Sequence, residues 1–168
     1  NKRGYSSLRA VENPLTSLAD DAERTRKMVD QVDGPVVLVG HSYGGAVITE
    51  AGDRPNVTGL VYIAAFAPDA GESPGGITQE MPPEAAANLS PDSDGYLWVV
   101  QDKFHESFCQ DLSEADALVM AVTQKAPLAS TFTRSYLALA GRNLPFTALQ
   151  FPIYESLRET FGAWAGLK

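Results

Sequence analysis

The sequence is poor in several residues that carry distinctive chemistry. One cysteine, Cys109, closes no internal disulfide. That excludes a disulfide-stapled scaffold and fits a reducing, cytoplasmic setting. There are two histidines, His41 and His105, which limits the choice of a general base. Basic residues number 13 against 21 acidic ones, a net charge of −8. A nucleic-acid surface needs clustered Lys and Arg, so no nucleic-acid partner is expected. No clean apolar run approaches the ~18 residues of a membrane span, and no membrane partner is expected. Phosphate-loop patterns, G-x-G-x-x-G or a Gly-Lys-Ser/Thr ending, are missing too, and neither cofactor nor metal is called for. The N-terminus is polar, with no apolar signal-peptide core, and starts on Asn1 rather than Met. These features lead us to expect a fragment or a processed chain.

What is present suits one globular domain: 168 residues, 44% hydrophobic and 20% charged. The chain is organised around Val36-Val37-Leu38-Val39-Gly40-His41-Ser42-Tyr43-Gly44-Gly45. The four apolar residues predict a short strand buried on both faces. Gly40-x-Ser42-x-Gly44 follows at once, and Ala46 to Ala51 continues as a helix. Strand, tight turn and helix form the context in which G-x-S-x-G lifts a nucleophilic serine onto a strained turn. Gly40, Gly44 and Gly45 then let strand and helix approach. Ser42 would stand at a helix N-terminus, where the Tyr43 N–H favours a developing oxyanion.

On these residues the chain resembles the α/β-hydrolase superfamily, its bacterial serine esterases in particular. His41-Ser42-Tyr43-Gly44-Gly45 is similar to the esterase elbow, and the likeness runs from about Tyr5 to about Thr133. The implied fold is a partial doubly wound parallel sheet with a helical cap segment and a C-terminal helix. The implied chemistry is hydrolysis of a small-molecule carboxylic ester or related acyl substrate.

Tyr5 to Val11 is a weak strand candidate. Ser17-Leu18-Ala19-Asp20 has the form of a capping box. Leu18, Ala22, Thr25, Val29 and Val32 then mark one face of an amphipathic helix, with Arg24, Arg26, Lys27 and Asp30 toward solvent. Gly34 and Pro35 end it. Asp53 to Asn56 forms a break, and Val57 to Phe66 is a second buried strand. Alternating strands and helices predict a parallel sheet with right-handed crossovers. Residues 1–70 thus make a partial hydrolase core. Asp69, in the Ala67–Glu72 loop, reads either as a turn residue or as the acid of a catalytic triad.

Residues 71–133 resemble the family's cap. They include a loop-rich stretch with a short helical turn near Glu84 to Asn88, an apolar run from Tyr96 to Val100, and a helix opened by Ser113-x-x-Asp116. Phe66, Trp98, Phe104 and Phe108 are candidates to line an acyl pocket, or plain core.

A serine hydrolase needs a base and an acid to orient it. In the resembled family the histidine comes after the acid, near the C-terminus. Here His41 lies inside the elbow and His105 in the cap, a weak base candidate from the wrong topological element. The strand that would carry a second oxyanion donor does not precede residue 5 either. We therefore expect a truncated, impaired or inactive hydrolase, or else a non-catalytic scaffold or binding fragment that keeps the elbow. Its sheet would present an edge open to self-association. From Arg134 the character changes. Ser135 to Glu155 resembles one helix of the mitochondrial carrier family, which makes residues 134–168 a helical segment of different origin.

Overall fold

The computed structural model describes residues 7–80, 82–135 and 146–149. Helix α1 (Leu18–Val29) begins as the capping residues require. Ser17 sits in extended backbone and its hydroxyl accepts from the Asp20 N–H. Buried Leu18, Asp21, Ala22, Thr25 and Val29 form its inner face. Strand β1 (Val36–Ser42), helix α2 (Tyr43–Ala51) and strand β2 (Val57–Ala65) follow. β1 pairs with β2 in parallel, and β2 pairs in parallel with β5 (Phe146–Leu149), giving the order β1-β2-β5.

The main core lies on one face of this sheet. Leu38, Leu60 and Tyr62 point into it and meet Val29 of α1 with Ile48 and Ala51 of α2. At the start of the strands, Asn56 joins three segments. Its carboxamide donates to the carbonyls of Val29 and Val32, and its own carbonyl accepts from the Val36 N–H.

Three expectations require correction. β1 is not buried on both faces: Val37 and Val39 are each 58% exposed while Leu38 is buried. Both helices named above pack on the Leu38 face, so the alternating side chains of the strand divide between core and solvent. The Tyr5–Val11 strand does not form over residues 7–11; residues 5 and 6 lie outside the described residues. The C-terminal helix fails where it can be tested, because Phe146–Leu149 is a strand. The rest of that segment lies outside the described residues.

Residues 71–133 form a second layer of short elements: α3 (Pro74–Glu80), the antiparallel pair β3 (Leu89–Pro91) and β4 (Leu97–Val99), α4 (Phe104–Phe108) and α5 (Glu114–Thr123). The predicted turn at Glu84–Asn88 is a 3-10 helix. Ser113 caps α5 through the Asp116 N–H. The Gln124 carboxamide clamps β4 from its open edge, accepting from the Val99 N–H and donating to the Val99 carbonyl. This layer has its own small core of Phe104, Cys109, Ala117 and Ala121. A third cluster joins the layers, with Leu18, Tyr43, Ala46 and Val47 packed on Leu15, Phe66 and Phe132.

Candidate active site

The turn from β1 into α2 is where the sequence concentrates its constraints. Ser42 has φ 52° and ψ −124°, a conformation that L-residues seldom adopt. The neighbouring strand is irregular at the same level. His41 pairs with Ile63 and Ser42 with Ala65, so Ala64 is skipped, and its φ is 41°. The Ser42 carbonyl accepts from the Phe66 N–H at 3.1 Å. These contacts fix the serine between a strand end and a helix N-terminus, where the backbone dipoles favour negative charge.

The glycines differ in what they do. A Cβ at Gly40 would lie 2.4 Å from the Gly44 carbonyl oxygen, and one at Gly45 would lie 2.2 Å from the Phe66 carbonyl oxygen. No side chain fits either place. Gly44, the last glycine of G-x-S-x-G, would have nothing within 4 Å of an added Cβ. Close approach therefore rests on Gly40 and Gly45 and does not require Gly44.

Tyr43 is anchored from beneath. Its hydroxyl donates to Asp21 Oδ2 at 2.8 Å, and the Leu15 N–H donates to Asp21 Oδ1 at 2.8 Å. Asp21 is fully buried. Leu15 is held at φ 63°, which costs about 1–3 kcal/mol and persists only when its surroundings hold it there. Asp21 is one of two acids in the first turn of α1 and is not among the site residues expected from the sequence. Its register carried the signal, three residues after Leu18 and four before Thr25, on the buried face.

His41 directly precedes Ser42 at the end of β1. The imidazole meets Phe108 edge-to-face, with ring centroids 6.1 Å apart. Part of the ring remains open to solvent, yet desolvation by the packing around it lowers its pKa below the ordinary 6.5. His105 Nε2 lies 2.9 Å from the Leu112 carbonyl oxygen, a contact internal to the cap layer. Asp69 is exposed in its turn, and its N–H donates to the Glu72 carboxylate. The four aromatic candidates separate. Phe104 is the centre of the second layer's core. Phe66 packs with Phe132 beside Tyr43. Trp98 is partly exposed, its indole N–H donating to Asp92. Phe108 meets the turn through His41, and Phe66 meets it through its N–H on the Ser42 carbonyl.

A parallel sheet whose strand runs through a strained serine into a helix defines a protein of the α/β class with a ligand site at the strand ends. The comparisons make that class specific. The chain belongs to the alpha/beta hydrolase family, whose profile matches residues 3–159. The match runs well past residue 134. A carbendazim-hydrolysing esterase of Nocardioides sp. (strain SG-4G) is 49% identical over 57 residues, which are 32% of this chain and 24% of that protein. A probable hydrolase, R7, of Phoma sp. (strain ATCC 20986 / MF5453) is 32% identical over 107 residues, 60% of this chain and 43% of that one. The chain thus spans less than half the length of either relative. Among solved structures, an extracellular alpha/beta-hydrolase from a Paenibacillus species superposes with a TM-score of 0.64 at 20% identity, over 89% of this chain and 64% of that chain. A mutant polyneuridine aldehyde esterase gives 0.67 at 13% identity, over 88% and 67%. These two likenesses establish the fold. Among the described residues no helix is long and apolar enough to cross a membrane.

Proposed function

We propose that this chain carries the nucleophile-bearing part of a serine hydrolase acting on carboxylic esters, with Ser42 as nucleophile. The observation that carries the reading is the Ser42 backbone, φ 52° and ψ −124°, at the junction of a parallel strand and a helix. Ser42 Oγ attacks the ester carbonyl carbon, and the Tyr43 N–H stabilises the oxyanion that forms. The alcohol leaves with a proton, and water then releases the acid from the acyl-serine. Two esterases among the proteins described above support the choice of ester chemistry.

The hydroxyl proton needs an acceptor. His105 is engaged by Leu112 within residues 71–133, and the His41 ring packs edge-to-face on Phe108. Turnover by this chain as it stands is therefore weak, of the order of the ~10³–10⁴-fold over water that binding and an oxyanion hole give without a complete triad. Hydrolysis of p-nitrophenyl acetate by the purified chain beside Ser42→Ala tests this. A small, saturable rate that Ser42→Ala abolishes supports the reading, and equal rates overturn it. The same histidine placement favours a second reading, a scaffold that retains the elbow without catalysis. That reading expects no labelling of Ser42 by a fluorophosphonate. Asp69 remains the candidate acid, exposed at the strand end. Among the described residues β1 is an edge strand, and its Val37 and Val39 are exposed on the sheet face; both support self-association, which sedimentation over a concentration series would detect.

A further inference from the structure

We propose that Asp21 is a positioning residue for the oxyanion side of the site, joining the Tyr43 amide to the exit of the cap. The inference rests on the nucleophile reading above and concerns a residue outside the elbow. Three observations converge on it. First, the two carboxylate oxygens of Asp21 are divided between two partners. Oδ2 accepts from the Tyr43 hydroxyl and Oδ1 from the Leu15 N–H, both at 2.8 Å, in a fully buried position. A buried carboxylate left without such donors is strongly destabilising, so both partners are tightly held. Second, Leu15 is gripped from its other side by the segment that leaves the cap. Its carbonyl accepts from the Leu128 N–H at 2.9 Å, and Lys125 Nζ donates to the carbonyl of Asn13, two residues earlier, at 2.6 Å. Third, Leu15, Tyr43 and Phe132 belong to one apolar cluster, with the Tyr43 and Phe132 rings 5.4 Å apart.

The consequence is geometric. Tyr43 is the first residue of α2, and on the nucleophile reading its main-chain N–H is the oxyanion donor, while its hydroxyl is held in this network. Rotation of the ring or withdrawal of the Leu15 loop moves the amide relative to Ser42, and displacements of ~1 Å in a catalytic arrangement can cost ~10²-fold in rate. Because the Leu15 carbonyl also carries Leu128, the position of the cap exit and that of the amide are set by one carboxylate.

The experiment compares Asp21→Ala, Asp21→Asn and Tyr43→Phe in the full chain. An asparagine at position 21 can hold both contacts with one bond reversed, accepting from Leu15 N–H and donating to the Tyr43 hydroxyl. The rate constant for fluorophosphonate labelling of Ser42 should fall ~10²-fold in Asp21→Ala, with little change in the probe's half-saturating concentration. Asp21→Asn should restore most of that loss, and Tyr43→Phe should fall ~10-fold. Equal loss in Asp21→Ala and Asp21→Asn would assign the effect to charge and overturn the proposal, as would no loss in either. Should Asp21→Ala fail to fold, Tyr43→Phe decides: an unchanged labelling rate overturns the proposal.

A second readout does not need activity. In protein labelled with 15N at its six tyrosines, the Tyr43 amide signal, identified by its loss in Tyr43→Phe, should move in Asp21→Ala and return most of the way in Asp21→Asn. The Tyr62 and Tyr96 signals should stay in place. Displacement of all three would mark a merely structural role and overturn the proposal. A wild-type chain that labels no faster than Ser42→Ala sinks the nucleophile reading alone, and the amide signals still decide on Asp21.

Discussion

The sheet core around Ser42 and the cap-like layer of residues 71–133 are built on different physics. The core of β1, α2 and β2 is set by backbone: two strands in register, a serine with positive φ, and two glycines packed against carbonyl oxygens. The cap has a single large side chain at its centre, Phe104, with Cys109, Ala117 and Ala121 around it. Its strands are three residues long and are completed by a side-chain amide. Among the described residues, seven of the ten exposed large apolar side chains belong to it, including Leu118, Val119 and Val122 on α5. A region with few buried apolar contacts opens at lower free energy than a core strand does. Ser42 thus sits on the part set by backbone, and residues 71–133 are the part that opens more readily.

The comparison breaks most sharply at the glycines. Gly45→Ala should abolish the cooperative fold or lower its stability by more than ~4 kcal/mol, because the Phe66 carbonyl cannot withdraw without parting β2 from α2. Gly44→Ala in the same motif should be neutral or stabilising by up to ~1 kcal/mol, since the added methyl meets nothing and alanine favours the helix. Urea denaturation of both variants checks the pair.

Next in size is Phe104→Ala. Emptying the centre of the cap core should cost ~3 kcal/mol. The loss should appear as faster amide exchange in α4 and α5 with β1 and β2 still protected. Uniform loss of protection would show that the two regions unfold as one.

The two capped helices refine the same point. Ser17→Ala and Ser113→Ala remove equivalent hydrogen bonds, each hydroxyl accepting from an N–H at 3.1 Å. Each should cost ~1 kcal/mol. The first should lower the global denaturation midpoint, while the second should change exchange only within the cap.

The smallest effect is expected from pH. His41 has a folded pKa below its ordinary 6.5 because burial disfavours the imidazolium. The unfolded chain therefore binds the proton more readily, and this contribution to stability is whole above 6.5 and declines as pH falls toward the folded value. Asp92 is also lowered, chiefly by the Trp98 indole N–H and then by the Tyr96 N–H. Its contribution holds above its ordinary 3.8 and is lost only in stronger acid. Denaturation midpoints between pH 7.5 and 5 should therefore drop slightly in the wild type and remain flat in His41→Asn.

Much of this was legible in the sequence because the constraints were local. The Val36–Gly45 stretch predicted strand, turn and helix, and Ser17 and Ser113 predicted their caps. What escaped was non-local. The Val37 and Val39 face looked like core because the residues are apolar. Exposure of that face depends on which helices cover the sheet. Asp21 was hidden because its partners, Tyr43 and Leu15, are brought to it by the fold and by no pattern in α1 itself. The resemblance of Ser135–Glu155 to a carrier helix predicts helix over Phe146–Leu149, a run whose apolar pattern is ambiguous alone, and pairing with β2 makes it a strand.

Asn56 has a consequence for the order in which the chain folds. Its three partners, Val29, Val32 and Val36, lie within 27 residues of it. The main core it closes is drawn wholly from the stretch between Val29 and Ala67. Short loops close at little entropic cost, so this unit has everything needed to condense before the cap is recruited. Protection of β1 and β2 amides should then precede that of α5 during refolding, and Asn56→Ala should slow the early step more than the late one. The strained turn at Ser42 would be shaped first, and the second layer would pack onto the core afterwards.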